Sequence, residues 1–187
     1  MDEEAVPAAA RLLRDFVNTY EPQTDTESLT STAALQRWLA AHELVTHDVR
    51  LMEAHLARAV AVREGLRAVL LQHAGHEPEA GRLEALNAAL ARVPVSLSFD
   101  AQDGLRLSGA GDDPGTVAFG GLLDAVRRSR EDGSWPRLKV CARDSCRWAY
   151  HDGSRNQVRR WCSMAGCGNH VKMQRAYATR KGRSGGA

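Results

Sequence analysis

Apolar positions over the first 130 residues recur mostly at helical spacing. In residues 8–20, Leu12, Leu13, Phe16 and Val17 fall on one face. Residues 21–30 are polar, include Pro22 and read as a loop. Ser31 or Thr32 then offers an N-cap to a helix through Leu44, with Leu35, Trp38, Leu39 and Leu44 turned inward. Thr46 is placed to cap a longer helix reaching about residue 74, whose buried stripe is Val49, Met52, Leu56, Val60, Leu66, Val69 and Leu70. Gly75-His76-Glu77-Pro78 breaks it, and residues 79–92 predict a further helix on Leu83, Leu86 and Leu90.

The period then changes from helical to alternating. Val95, Leu97 and Phe99 alternate with Ser96 and Ser98, residues 100–104 read as a turn, and residues 105–107 return as the second strand of a hairpin. Asp113-Pro114 opens a helix to about residue 130, and the polar group 131–134 marks a boundary. Beyond it, residues 138–140 and 147–151 predict two short strands, and residues 169–180 a last helix.

Charge divides at the same place. Residues 1–136 hold 13 Arg, no Lys and 21 Asp plus Glu, a net −8; residues 137–187 hold 12 Lys plus Arg against Asp144 and Asp152, a net +10. All four cysteines lie in the basic part. Two modules with different partners are therefore expected, the basic one suited to polyanions. No run approaches the roughly 20 apolar residues of a membrane span. The N-terminus is acidic and lacks a long apolar signal core, so a cytoplasmic location is expected. The first module shows no catalytic set: His42, His47, His73, His76, Asp15 and Glu21 read as solvated or helix-end residues, and Asn18-Thr19 as a helix cap. The chain is not expected to be an enzyme.

Cys141 and Cys146 are separated by four residues, as are Cys162 and Cys167, with fifteen residues between the pairs. Paired thiols at this spacing suit one tetrahedral, all-thiolate zinc ion, each close pair bending as a knuckle. A disulfide is disfavoured in a reducing compartment, and an iron–sulfur cluster is the weaker alternative. One structural zinc per chain is expected. Knuckle, hairpin, second knuckle and a helix that supplies the last ligand together predict a treble-clef-like finger; a two-hairpin zinc ribbon is the alternative. Trp148, Tyr150 and Trp161 are expected around the metal, and Met173, Ala176 and Tyr177 on a helix face packed against the hairpin.

The segments Ser154-Arg155-Asn156, Arg159 to Met164 and Cys167-Gly168-Asn169 resemble the CGNR zinc finger. The first module is similar to the ABATE domain that accompanies it, through residues 15–19 (DFVNT) and Trp38-Leu39. The resemblance implies a bacterial, stress-induced transcription regulator whose finger contacts DNA. The family motif ends in Arg where this chain has His170, which exchanges a permanently charged fork of donors for a mostly neutral ring.

Together these readings predict an α+β chain. Residues 1–135 form a helix-rich, ABATE-like domain with a β-hairpin, for sensing or assembly. Residues 136–183 form the zinc finger, and residues 184–187 a disordered tail. Arg155, Arg159, Arg160, His170, Lys172 and Arg175 are the candidate nucleic-acid contacts. DNA is the expected partner, with an unknown small-molecule effector or protein partner at the first domain, no membrane, and a homodimer left open. The alternative function is a zinc-dependent protein- or RNA-interaction module.

Overall fold

The structure, a computed structural model, describes residues 6–101 and 104–184. Helix α1 (Ala8–Val17) buries Leu13, Phe16 and Val17 as its spacing predicts. Helix α2 (Thr32–Ala41) starts at Ser31, whose hydroxyl accepts the Ala34 N–H at 3.1 Å. It stops short of Leu44 because Glu43 turns left-handed (φ 58°), which lets the Leu44 N–H close on the Leu39 carbonyl. Between these helices the expected loop contains a small hairpin, β1 (Tyr20–Glu21) and β2 (Thr26–Glu27), held in part by the Tyr20 hydroxyl on Asp25. Two-residue strands are too short to leave a periodic signal.

Helix α3 (Glu53–His73) is the central element, and it begins six residues later than a Thr46 cap would set it. The Thr46 hydroxyl bonds to Asp48 and caps nothing, while His55 Nδ1 accepts the Met52 N–H at 3.1 Å and fixes the true start. The chain before α3 is therefore not helical, and Leu51 is buried where Met52 had been expected inward. His55 Nε2 also reaches Asp113 at 3.1 Å, joining the start of α3 to that of a later helix.

From Val62 to Leu70, α3 is buried on almost every side, and two of its arginines are buried with it. Arg63, 3% exposed, pairs with Glu27 at 2.7 Å and Glu64 at 2.8 Å. Arg67 donates to the carbonyls of Val17 (2.6 Å), Tyr20 (2.9 Å) and Arg147 (2.8 Å), and its Nε meets Glu64 at 3.0 Å. Both guanidinium groups lie within 6 Å of the Tyr20 ring centre. Helix α4 (Arg82–Leu90) rests on α3 at Gly65, where a Cβ would stand 2.4 Å from that of Leu86.

The predicted hairpin forms as β3 (Val95–Asp100) and β4 (Gly104–Gly109), with Leu97 opposite Leu107. Strand β4 lies on helix α5 (Pro114–Glu131), and a Cβ at Gly120 would fall 2.0 Å from the Gly109 nitrogen, so glycine is required there. Asp113 caps α5 by accepting the Thr116 N–H at 2.8 Å.

A short turn (Trp135–Arg137) leads into β5 (Leu138–Val140), which pairs antiparallel with β6 (Ala149–His151). The side chains of Leu138, Val140 and Ala149 are wholly buried in the same core as Phe16, Leu66 and Phe119. Three polar contacts fix this hairpin against the helices. Asn18 accepts the Ala149 N–H at 2.8 Å and donates to its carbonyl at 2.9 Å, acting as a one-residue strand. The His73 ring meets the Leu138 carbonyl at 2.9 Å, and Arg67 holds Arg147. Asn18 thus ends α1 and also docks the hairpin.

A π-helical turn (Met164–Gly168) opens the last helix, α6 (Asn169–Ser184). Ser184, expected in a disordered tail, ends α6; residues 185–187 lie outside those described. The fold is mostly helical with small antiparallel hairpins. Among the described residues no helix is long and apolar enough to cross a membrane.

Candidate metal centre

The end of β5 delivers Cys141, and a tight turn returns Cys146 beside it. The Cys146 N–H bonds to the Arg143 carbonyl at 2.9 Å, Arg147 takes a left-handed backbone (φ 48°), and the Cys141 N–H closes on Trp148 at 2.9 Å. A second strand of chain is tied to this knuckle by the Ala142 N–H on the Arg160 carbonyl at 2.8 Å, which places Cys162. Ser163 accepts the Gly166 N–H at 3.1 Å and organises the π-helical turn that carries Cys167. Trp148 and Trp161 pack against the sulfurs, as their expected role requires.

All four sulfur atoms lie within 4.8 Å of one another, and none is in a disulfide. Cys162 stands 3.7 Å from both Cys146 and Cys167. Four thiolates each about 2.3 Å from a tetrahedral zinc stand about 3.8 Å apart, whereas a disulfide requires about 2.05 Å. The donor set therefore fits a metal, and its electrostatics ask for one. Hydrogen bonds from Cys146 and Cys162 hold the Cys141 thiol well below its ordinary value; the same bonding, with burial, drives Cys146 and Cys162 up. One thiolate forms readily in this pocket, and four need a cation to coexist. Among the described residues no other three His, Cys, Asp or Glu side chains converge in this way.

The loop between the knuckles is built on a buried ion pair. Asp152 is 0% exposed, and its carboxylate meets the Lys139 ammonium at 2.8 Å. It also accepts from the Ser154 N–H and hydroxyl and from the Arg159 N–H at 3.0 Å. Burial alone would push this carboxyl up, but these donors outweigh it and hold it at about 2. With a folded value below the unfolded one, the carboxyl stabilises the fold above about pH 4 and ceases to as pH falls toward 2. From an ordinary value of 3.8 the shift corresponds to about 2 kcal/mol. Asp152→Asn should therefore lower stability at pH 7 by about that amount, and the gap from the parent should close on acidification. Urea unfolding across the acid range, zinc content checked at each pH, measures it; a gap that does not narrow excludes this role.

The six candidate nucleic-acid residues occupy two kinds of place. Arg155 and Arg160 are exposed on the loop, the latter's guanidinium 5.7 Å from the Trp161 ring centre. His170 and Lys172 are exposed on α6. Arg175 shares that helix, its side chain lying outside those described. Arg159 differs from the rest: it is partly buried over Tyr150 and donates to the carbonyls of Trp161 (2.8 Å) and Cys162. Its side chain braces the second knuckle. Met173 and Tyr177 are exposed and do not pack on the hairpin, because α1 and α3 already occupy the hairpin's faces.

The fold and site define a helical domain joined to a four-cysteine, metal-binding finger. The ABATE family model, described as "Putative stress-induced transcription regulator", matches residues 10–145, and the CGNR zinc finger model matches residues 137–180. The chain belongs to the ABATE family. Both descriptions are of regulatory or zinc-finger modules, and neither is of an enzyme. The two matches overlap over residues 137–145, which hold strand β5 and Cys141, where the helical core meets the cysteine cluster. No curated protein matches the chain closely enough to be counted similar.

Proposed function

We propose that the protein is a zinc-dependent transcription regulator whose finger contacts DNA. The observation that carries this reading is the placement of exposed basic side chains on the elements the cysteine cluster fixes: Arg155 and Arg160 before the second knuckle, His170 and Lys172 on the helix that leaves it. Zinc is the ion of choice for four thiolates in a tetrahedral set and adds no redox chemistry. The run of first knuckle, strand β6, second knuckle and helix, with Cys167 in the turn that opens α6, supports a treble-clef-like reading of the finger. Phosphate neutralisation by such a surface supplies affinity without sequence reading.

A cavity of about 620 Å³ between α1, the end of α2, β4 and α5 supports an effector site in the helical domain. Arg11, Asp15, His42, Leu44, Arg106 and Arg128 line it. The exposed Met173 and Tyr177 beside Lys172 favour the second reading, a protein- or RNA-interaction module.

Binding of the zinc-loaded protein to duplex DNA over a salt series tests the first reading. Arg155→Ala with Arg160→Ala, and separately His170→Ala with Lys172→Ala, should each flatten the log–log salt slope by roughly one per lost phosphate contact while zinc is retained. Arg159→Ala should instead loosen zinc. Unchanged slopes in both double variants sink the DNA surface, and a wide preference for single-stranded RNA transfers the function to the second reading.

A further inference from the structure

The β3–β4 hairpin ends on an edge that the rest of the fold does not cover. The Leu107 N–H points away from β3 to the Asp124 carboxylate at 2.9 Å, and the Ala110 N–H bonds to the Pro94 carbonyl at 2.9 Å. Bonded and non-bonded pairs alternate in an antiparallel ladder. Val95, Leu97 and Phe99 therefore turn their N–H and C=O groups away from β4, and among the described residues these groups find no partner. Their side chains are exposed as well, at 45%, 59% and 79%. No charged residue and no proline interrupts positions 95–99, so the usual devices that protect an edge strand are missing.

We infer that β3 is a dimerisation edge, on which a second copy of this chain pairs its own β3 antiparallel to give a four-stranded sheet across a twofold axis. The edge is self-complementary. Centred on Leu97, the operation sets Leu97 against the partner's Leu97 and Val95 against the partner's Phe99, all positions with outward-facing backbone groups. The apolar side chains of both copies then share one face, and Ser96 and Ser98 share the other. Charge in the sequence is compatible with the same operation, which sets Asp100 opposite the partner's Pro94, two residues along the chain from the partner's Arg92. The opposite edge cannot serve in the same way, since Asp124 occupies it at Leu107. Such an isologous contact closes at two copies.

The dimer neither requires DNA binding nor is required by it, and the two are tested separately. Sedimentation of the zinc-loaded full chain at micromolar concentration should give twice the 20.4 kDa of one chain. Leu97→Pro removes the central edge donor without touching a bond to β4, and Phe99→Lys places a charge on the shared face. Both should sediment at half the parent mass, with helical signal and zinc content unchanged. If Leu97→Pro misfolds, Phe99→Lys alone decides, because so exposed a side chain has little part in the monomer's core. A monomeric parent overturns the inference and leaves the edge to another partner. A folded Phe99→Lys variant that remains dimeric overturns it too.

Discussion

Removing the metal should melt the helical domain together with the finger, in one transition. Strand β5 runs directly into Cys141, and β6 begins three residues after Cys146. The same two strands bury Leu138, Val140 and Ala149 completely in the core formed by α1, α3 and α5. Without a cation the four sulfurs cannot all remain thiolates at their present spacing, and the first knuckle opens. The hairpin then loses its register, and each large apolar side chain it withdraws costs about 1.5–3 kcal/mol. The Asn18 and His73 contacts go with it. Metal binding in small fingers contributes on the order of 10 kcal/mol to folding, and part of that is transmitted here to the helices. Chelation, or Cys141→Ser, should lower the thermal midpoint of the whole chain by about 10 °C or more. Cys167→Ser should cost less, because that ligand sits on the peripheral π-helical turn. Far-ultraviolet dichroism and the fluorescence of buried Trp135 should report the same midpoint. A helical domain that keeps the parent midpoint while the finger alone unfolds sinks the coupling.

That coupling is also where sequence reading runs short. The apolar spacing of α1, α2, α4 and α5, the alternation of β3 and the paired cysteines were legible because each is a local pattern. Net charge and cysteine content divide near residue 136, which suggests separable modules. The packing, by contrast, is continuous across that point, since Asn18 meets Ala149 and His73 meets Leu138. Buried charge was the other silent feature. Nothing local in the sequence marks Arg63, Arg67 and Lys139 as buried, because their partners lie far away in sequence: Glu27, Arg147 and Asp152. The one available hint is placement, as Arg67 and Lys139 each stand between apolar neighbours. The late start of α3 was hidden for a related reason. Its cap is His55, a side chain within the helix reaching back to Met52, and not the hydroxyl of Thr46.

Arg67→Ala should destabilise the protein by about 3–5 kcal/mol and speed the release of zinc. The Arg67 guanidinium bonds to the end of α1, the β1 strand and the first knuckle at once, through the carbonyls of Val17, Tyr20 and Arg147. Truncation leaves these acceptors short of a donor and strips Glu64 of a partner in a buried setting, where such losses are felt in full. Lysine should recover little, since a single ammonium cannot reproduce a planar fork bonded in three directions. Arg63→Ala is the matched control. It breaks a comparably buried group on the same helix, but Arg63 bonds to Thr19, Glu27 and Glu64 and to nothing in the finger. Both variants should shift the urea midpoint. Only the Arg67 variant should hand zinc to a competing chelator faster than the parent, by about tenfold for each 1.4 kcal/mol that reaches the knuckle. Equal release rates from the two variants would mean that Arg67 stabilises the helices alone and that the knuckle is held by its own turn.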